Sequence, residues 1–151
     1  MTSPLPIIQS FLDYLTDERH FSPYTARCYG ADLRQFVEQL TSSFGINIDK
    51  DKELAVYQKA RDAAGPADVA GSIQPDTVTK HILAADADTI RDFLQHLADQ
   101  NYSAATMARK IATLRSFYKW AHKRDLTDSN PMTMIRTPRQ AKRLPFASSA
   151  P

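Results

Sequence analysis

A chain of 151 residues, 42% apolar and 24% charged, is long enough to bury one core and has the makeup of an ordinary globular domain. Its single cysteine, Cys28, excludes an internal disulfide framework, and its Cys and His residues lack zinc-ligand spacing. The net charge of +2 conceals a division: residues 1–100 hold nine Lys/Arg against fifteen Asp/Glu, a net of −6, whereas residues 101–151 hold ten against two, a net of +8. A basic end of this kind suits a polyanion, or is a solvated tail. No apolar run approaches the roughly 18 residues of a membrane span, and no basic-then-apolar leader opens the chain, so the expected setting is a reducing cytoplasm.

The first predicted helix runs from about Leu5 to Arg19, with Ile8, Phe11, Leu12 and Leu15 at helical spacing and Pro4 and Pro6 at its start. The second begins with Ser22 as N-cap and Pro23 in the first turn. Tyr29, Leu33, Phe36, Val37 and Leu40 form its buried stripe, and it is expected to stop before Thr41-Ser42-Ser43 and Gly45. Gly30, unfavourable in mid-helix, either lets another backbone approach closely or is a tolerated defect.

Residues 46–82 read as an insertion, because so long a connection is unusual inside a compact domain. A short helix over about Lys52–Ala64 ends at Gly65-Pro66, and the stretch from Pro66 to Asp86 has no sustained period and reads as loop. On this reading the apolar stripes all lie outside the insertion.

The third main helix starts near Asp86, where Asp86 and Asp88 suit the positive end of the helix dipole, and stops at Asn101. Its stripe is Ile90, Phe93, Leu94 and Leu97. The fourth is capped by Ser103 and runs to about Arg124, burying Met107, Ile111, Leu114, Tyr118 and Ala121 with Phe117 beside them. Asn130-Pro131 breaks the chain, and residues 131–151, with Arg136, Arg139, Lys142 and Arg143, read as a basic linker. The expectation is an all-α bundle of four main helices.

The fourth helix points most clearly to a function. Opposite its core stripe the sequence places Thr106, Arg109, Thr113 and Ser116, flanked by Lys110, Arg115 and Lys119. Small side chains let a helix approach a surface closely, Arg and Lys reach phosphates, and hydroxyls donate to them; such a helix fits a major groove. Exposed faces usually mix signs, yet no acidic residue occurs from Ser103 to Arg124. On the second helix Thr25, Arg27, Cys28, Ala31 and Arg34 are expected at exposed or edge positions; pairing of Arg27 or Arg34 with Asp32 or Glu38 is an equal reading. The four histidines are scattered, Cys28 has no base nearby, the tyrosines fall in or near helical stripes, and Trp120 suits burial against the linker, so no catalytic site is assembled.

SPYTARCYGADLRQF resembles the S-x-x-T-x-x-x-Y-x-x-D-L-x-x-F pattern of the N-terminal core-binding domain of tyrosine recombinases, the Xer and phage-integrase group. YSAATMARKIATLRSFYKWAHKRDLTDSNPM resembles the last helix of that domain, and PRQAKRLP its linker. The resemblance implies a four-helix SAM-like bundle over residues 1–130, with 46–82 inserted between the second and third main helices and the linker 131–151 leading to an absent catalytic domain. It implies half of a clamp on double-stranded DNA, with Thr25, Arg27, Thr106, Arg109, Lys110, Arg115, Lys119, Lys142 and Arg143 as contacts and other recombinase protomers as partners. Tyr29, Leu33, Phe36, Phe117 and Tyr118 match as structural positions, and Asp32 as a local ion pair or cap partner. Family chemistry uses two Arg, a Lys, a His and a nucleophilic Tyr beyond the linker, without metal or nucleotide cofactor, so this chain by itself is expected to bind DNA and catalyse nothing. The rival expectation is a helical protein–protein interaction module without DNA binding.

Overall fold

The computed structural model describes residues 4–62 and 77–136. Among them are six α-helices, one 3₁₀ turn and no strand. Helix α1 (Pro6–Asp17) starts with proline in its first turn and buries Ile7, Ile8, Phe11 and Leu15. Helix α2 (Pro23–Phe44) is capped by Ser22, whose hydroxyl oxygen accepts the Thr25 N–H. It runs through Thr41-Ser42-Ser43 rather than stopping before them. Gly45 ends it at φ 64°, in the left-handed region, with its N–H on the Thr41 carbonyl. Gly30 lies against a side chain, not a backbone: a Cβ there would sit 3.2 Å from Leu12 Cδ1.

Helix α3 (Lys50–Asp62) follows Asp49, whose Oδ1 accepts from the N–H groups of Asp51 and Lys52. The Gly65-Pro66 stop lies outside the described residues. The expected loop between Pro66 and Asp86 is corrected over its described part, because Val78–Ala84 forms helix α4, capped by Thr77. Seven residues are too few for a hydrophobic period to be visible. Helix α5 (Ala87–Ala98) is capped by Asp86, and Asn101 then turns the chain at φ 62°. The N–H and hydroxyl of Thr89 hold the Asp86 carboxyl below its ordinary value. Helix α6 (Ala104–Lys123) is capped by Ser103, and the 3₁₀ turn Pro131–Met134 by Asn130.

Helix α1 packs on α2 and α3, α2 on α4 and α6, and α3 on α4; the 3₁₀ turn rests on α5 and α6. The core joins elements distant in sequence. Phe11 meets Phe117 edge-on at 5.4 Å, and Phe36 lies 5.0 Å from Phe93 and 6.3 Å from Tyr118. Each such pair adds about 0.5–1.5 kcal/mol beyond burial of its area. Tyr118 is fully buried, which pushes its hydroxyl well above the ordinary value, and it donates to the Ile82 carbonyl at 2.8 Å.

That bond bears on the expected insertion. Ile46, Tyr57, Ala60, Val78 and Ile82 belong to the same core cluster as the main helices, so apolar packing is not confined to residues outside 46–82. Glu53 of α3 is fully buried and accepts from Val78 N–H at 3.0 Å, Thr79 N–H at 2.9 Å and the Thr79 hydroxyl at 2.6 Å. A side chain of α3 therefore supplies acceptors for the first turn of α4. The start of the expected linker is also built into the bundle, since Pro131, Met132 and Ile135 are buried. Trp120 is buried beside Phe11, Tyr14 and Phe117.

Candidate nucleic-acid interface

Helix α6 carries two faces of different chemistry. Inward lie Ile111, Leu114, Phe117, Tyr118 and Ala121. Outward, at spacings of four and three, lie Ala105, Arg109, Ala112, Ser116, Lys119 and Lys123. Ser116 is half-buried and the other five are exposed. The stripe holds three small and three basic residues and carries no acid. On α2, Arg27, Ala31 and Arg34 are exposed along one side, with the Arg27 guanidinium 5.9 Å from the ring centre of exposed Tyr24.

The two helices are joined by a buried polar cluster around Asp32 of α2. Oδ2 accepts from Arg109 Nη1 at 3.1 Å and from the Thr113 hydroxyl at 2.8 Å; Oδ1 accepts from Lys110 Nζ at 3.0 Å. Lys110 also donates to Gln35 Oε1 at 2.7 Å and lies 5.0 Å from the Tyr102 ring centre. The Gln35 amide donates to the Tyr102 hydroxyl at 3.0 Å. Breaking a buried pair of this kind by removing one partner costs about 3–5 kcal/mol, because the other charge stays buried.

The expected contact residues separate accordingly. Arg27, Arg109 and Lys119 reach the surface. Thr25 and Thr106 are half-buried, each in the first turn of its helix and each accepting a hydrogen bond from its capping serine, at 2.9 and 3.0 Å. Lys110 does not stand on the outer face: it is buried and held by Asp32 and Gln35. Thr113 is likewise buried, against Asp32. Arg115 is half-buried and donates to the carbonyls of Met132 at 3.4 Å and Ile135 at 2.7 Å, tying α6 to the turn that follows it. Lys142 and Arg143 lie outside the described residues. Asp32 pairs across helices with Arg109 and Lys110, neither locally nor with Arg27 or Arg34. The structural role of Glu53 is not legible in the sequence, because the N–H groups it serves lie 25 and 26 positions away.

Among the described residues no group of His, Cys, Asp and Glu could hold a metal ion, and no helix is long and apolar enough to cross a membrane. Among the described residues the chain is an all-α bundle whose second and last long helices share a polar junction. The chain belongs to the family of the phage integrase N-terminal SAM-like domain, whose profile matches residues 8–68 and 71–125.

Among its relatives is a tyrosine recombinase XerC of Pelotomaculum thermopropionicum, 30% identical over 138 residues that make up 91% of this chain and 36% of that protein. Another is a tyrosine recombinase XerD of Halalkalibacterium halodurans, 27% identical over 140 residues, 93% of this chain and 36% of that protein. A third, a tyrosine recombinase XerD of Rhizobium meliloti, is 38% identical over 61 residues, 40% of this chain and 20% of that protein. The chain spans about a third of the length of the first two relatives. No solved structure matches it significantly.

Proposed function

We propose that this chain is the DNA-binding N-terminal domain of a site-specific tyrosine recombinase, and that it clamps duplex DNA at the recombination core site with the outward faces of α2 and α6. The observation that carries the reading is the acid-free outward stripe of α6, in a chain whose relatives are tyrosine recombinases. Ala105 and Ala112 let the helix backbone come close to a groove, while Lys119, Lys123 and Arg109 reach for phosphates. Arg27 and Arg34 extend the positive surface along α2. Thr25 and Thr106 each share a hydrogen bond with the capping serine and add a hydroxyl to the first turn of α2 and of α6. In this reading the domain grips and orients DNA, and strand exchange belongs to the part of a recombinase that the chain does not span. Other recombinase protomers are the further partners.

The test is binding of fluorescent duplex DNA across a salt series. Neutralising about five phosphates gives a log–log slope of roughly −4 to −5. Replacing Lys119 and Lys123 together with Ala should flatten it by about 2, with little loss of stability because both side chains are exposed. An unchanged slope in the folded double variant removes α6 as the DNA-facing element. Binding to protein but to no duplex at any salt leaves the interaction module in its place.

A further inference from the structure

Arg109 differs from the other basic residues of the outward stripe. Its side chain is half exposed, and one end of its guanidinium is already fixed, with Nη1 on Asp32 Oδ2 at 3.1 Å. The acceptor is itself immobile. Asp32 is almost wholly buried, the Thr113 hydroxyl holds the same oxygen, and Lys110, anchored in turn by Gln35, holds the other. A guanidinium is a rigid fork with five N–H donors, so fixing one arm orients the rest. Lys119 and Lys123 are point charges on flexible stems and have no such restraint in their chemistry.

We infer that Asp32 is a positioning residue for DNA binding: it holds Arg109 so that the remaining N–H edge of the guanidinium grips two acceptor atoms presented side by side. Two sources in duplex DNA have that chemistry, the paired oxygens of a phosphate and O6 with N7 of guanine. The inference rests on the proposed DNA-binding reading and assigns separate work within it. Lysines supply charge; Arg109 supplies geometry, fixed across the helix junction by an aspartate that never touches DNA.

A purely structural ion pair makes the opposite prediction. If Asp32 only ties α2 to α6 and neutralises Arg109, removing its negative charge should strengthen DNA binding and steepen the salt slope. If Asp32 positions Arg109, D32N should weaken binding although the surface becomes more positive.

The experiment compares wild type, R109K and D32N on a random-sequence duplex pool over the same salt series, with sequencing of the bound fraction. R109K keeps the charge and removes the fork, while Asp32 retains Lys110 and Thr113. The expected result is a roughly tenfold loss of affinity in both variants, the size of one bidentate contact, with the R109K slope within about 0.5 of wild type. A loss uniform over the pool assigns the acceptor pair to phosphate; a loss confined to sequences enriched by wild type for one guanine assigns it to the base edge. D32N is melted first. If it does not fold, T113V, which removes one hydrogen bond to Oδ2 without changing charge, takes its place with the same expected direction. R109K binding as tightly as wild type overturns the inference, as does tighter binding by D32N, while either outcome leaves the domain a DNA binder. Absence of binding by wild type itself would remove the DNA reading and the inference with it.

Discussion

Substituting Glu53 probes how much of the fold depends on the segment that resembles an insertion. The side chain is fully buried and accepts from two backbone N–H groups and one hydroxyl at the start of α4. In E53A the Thr79 hydroxyl can turn toward another acceptor, but the N–H groups of Val78 and Thr79 cannot leave the helix start. Each buried donor left without a partner costs about 1–3 kcal/mol, so with the lost packing E53A should cost roughly 3–5 kcal/mol. That is a large share of the roughly 5–15 kcal/mol that holds a domain folded, and it corresponds to a Tm lower by about 6–20 °C in a chain of this size. E53Q is the informative companion. Its amide oxygen can still serve Thr79, but its NH₂ group then faces the Val78 N–H, donor against donor, so its loss should fall between wild type and E53A. Urea unfolding followed by helical circular dichroism gives the values. An E53A unfolding free energy within about 1 kcal/mol of wild type, with the same denaturant slope, would mean that α3 and α4 are appended to the core rather than part of it.

Two further perturbations test other joints. Asp86 has a depressed pKa because it accepts from Thr89, so the stability it contributes is present above its unfolded value near 3.8 and is lost as pH falls through its folded value. D86N keeps an N-cap acceptor but does not titrate, so its urea midpoint should fall less than that of wild type between pH 5 and pH 2; equal falls would remove Asp86 as a contributor. R115A should lower stability by roughly 1–3 kcal/mol, since it frees the carbonyls of Met132 and Ile135, and should leave the salt slope of DNA binding within about 0.5 of wild type. A slope flattened by a full unit in folded R115A would make Arg115 a phosphate contact after all.

The main helices were legible because their signals are local. Ser22, Asp86 and Ser103 each announce a helix start, and each accepts the N–H three residues on. The stripes of α2, α5 and α6 repeat often enough to be unmistakable. Two features are hidden by weak or misleading local signals. Thr41-Ser42-Ser43 has the composition of a helix stop, but Phe44 follows it and stacks on His81 at 4.1 Å, so tertiary contact accompanies the last turn of α2. Helix α4 has only one turn or so of apolar residues, and its first turn is supported by Glu53, a residue from another helix. Nothing in the seven residues themselves could reveal that.

The basic face of α6 is legible in composition and not in orientation. Absence of acids from Ser103 to Arg124 is a property of the string, and it locates a basic face on α6. Which of its polar residues face outward depends on what the neighbouring helix offers. A helical wheel places Arg109, Lys110 and Thr113 within about 100° of arc, and in isolation all three look solvated. Asp32, whose carboxylate needs several donors once it is buried, divides that arc: it draws Thr113 and Lys110 inward, and holds Arg109 at the boundary with one arm bound and half its side chain in solvent. An aspartate in the second helix thus decides which of these three side chains of the last long helix stay in solvent. The information lies 77 to 81 residues away from the groups it controls. The Y-x-x-D and T-x-x-R spacings in SPYTARCYGADLRQF and SAATMARKIATLR record the two halves of that junction separately, and only packing of α2 on α6 makes them one unit.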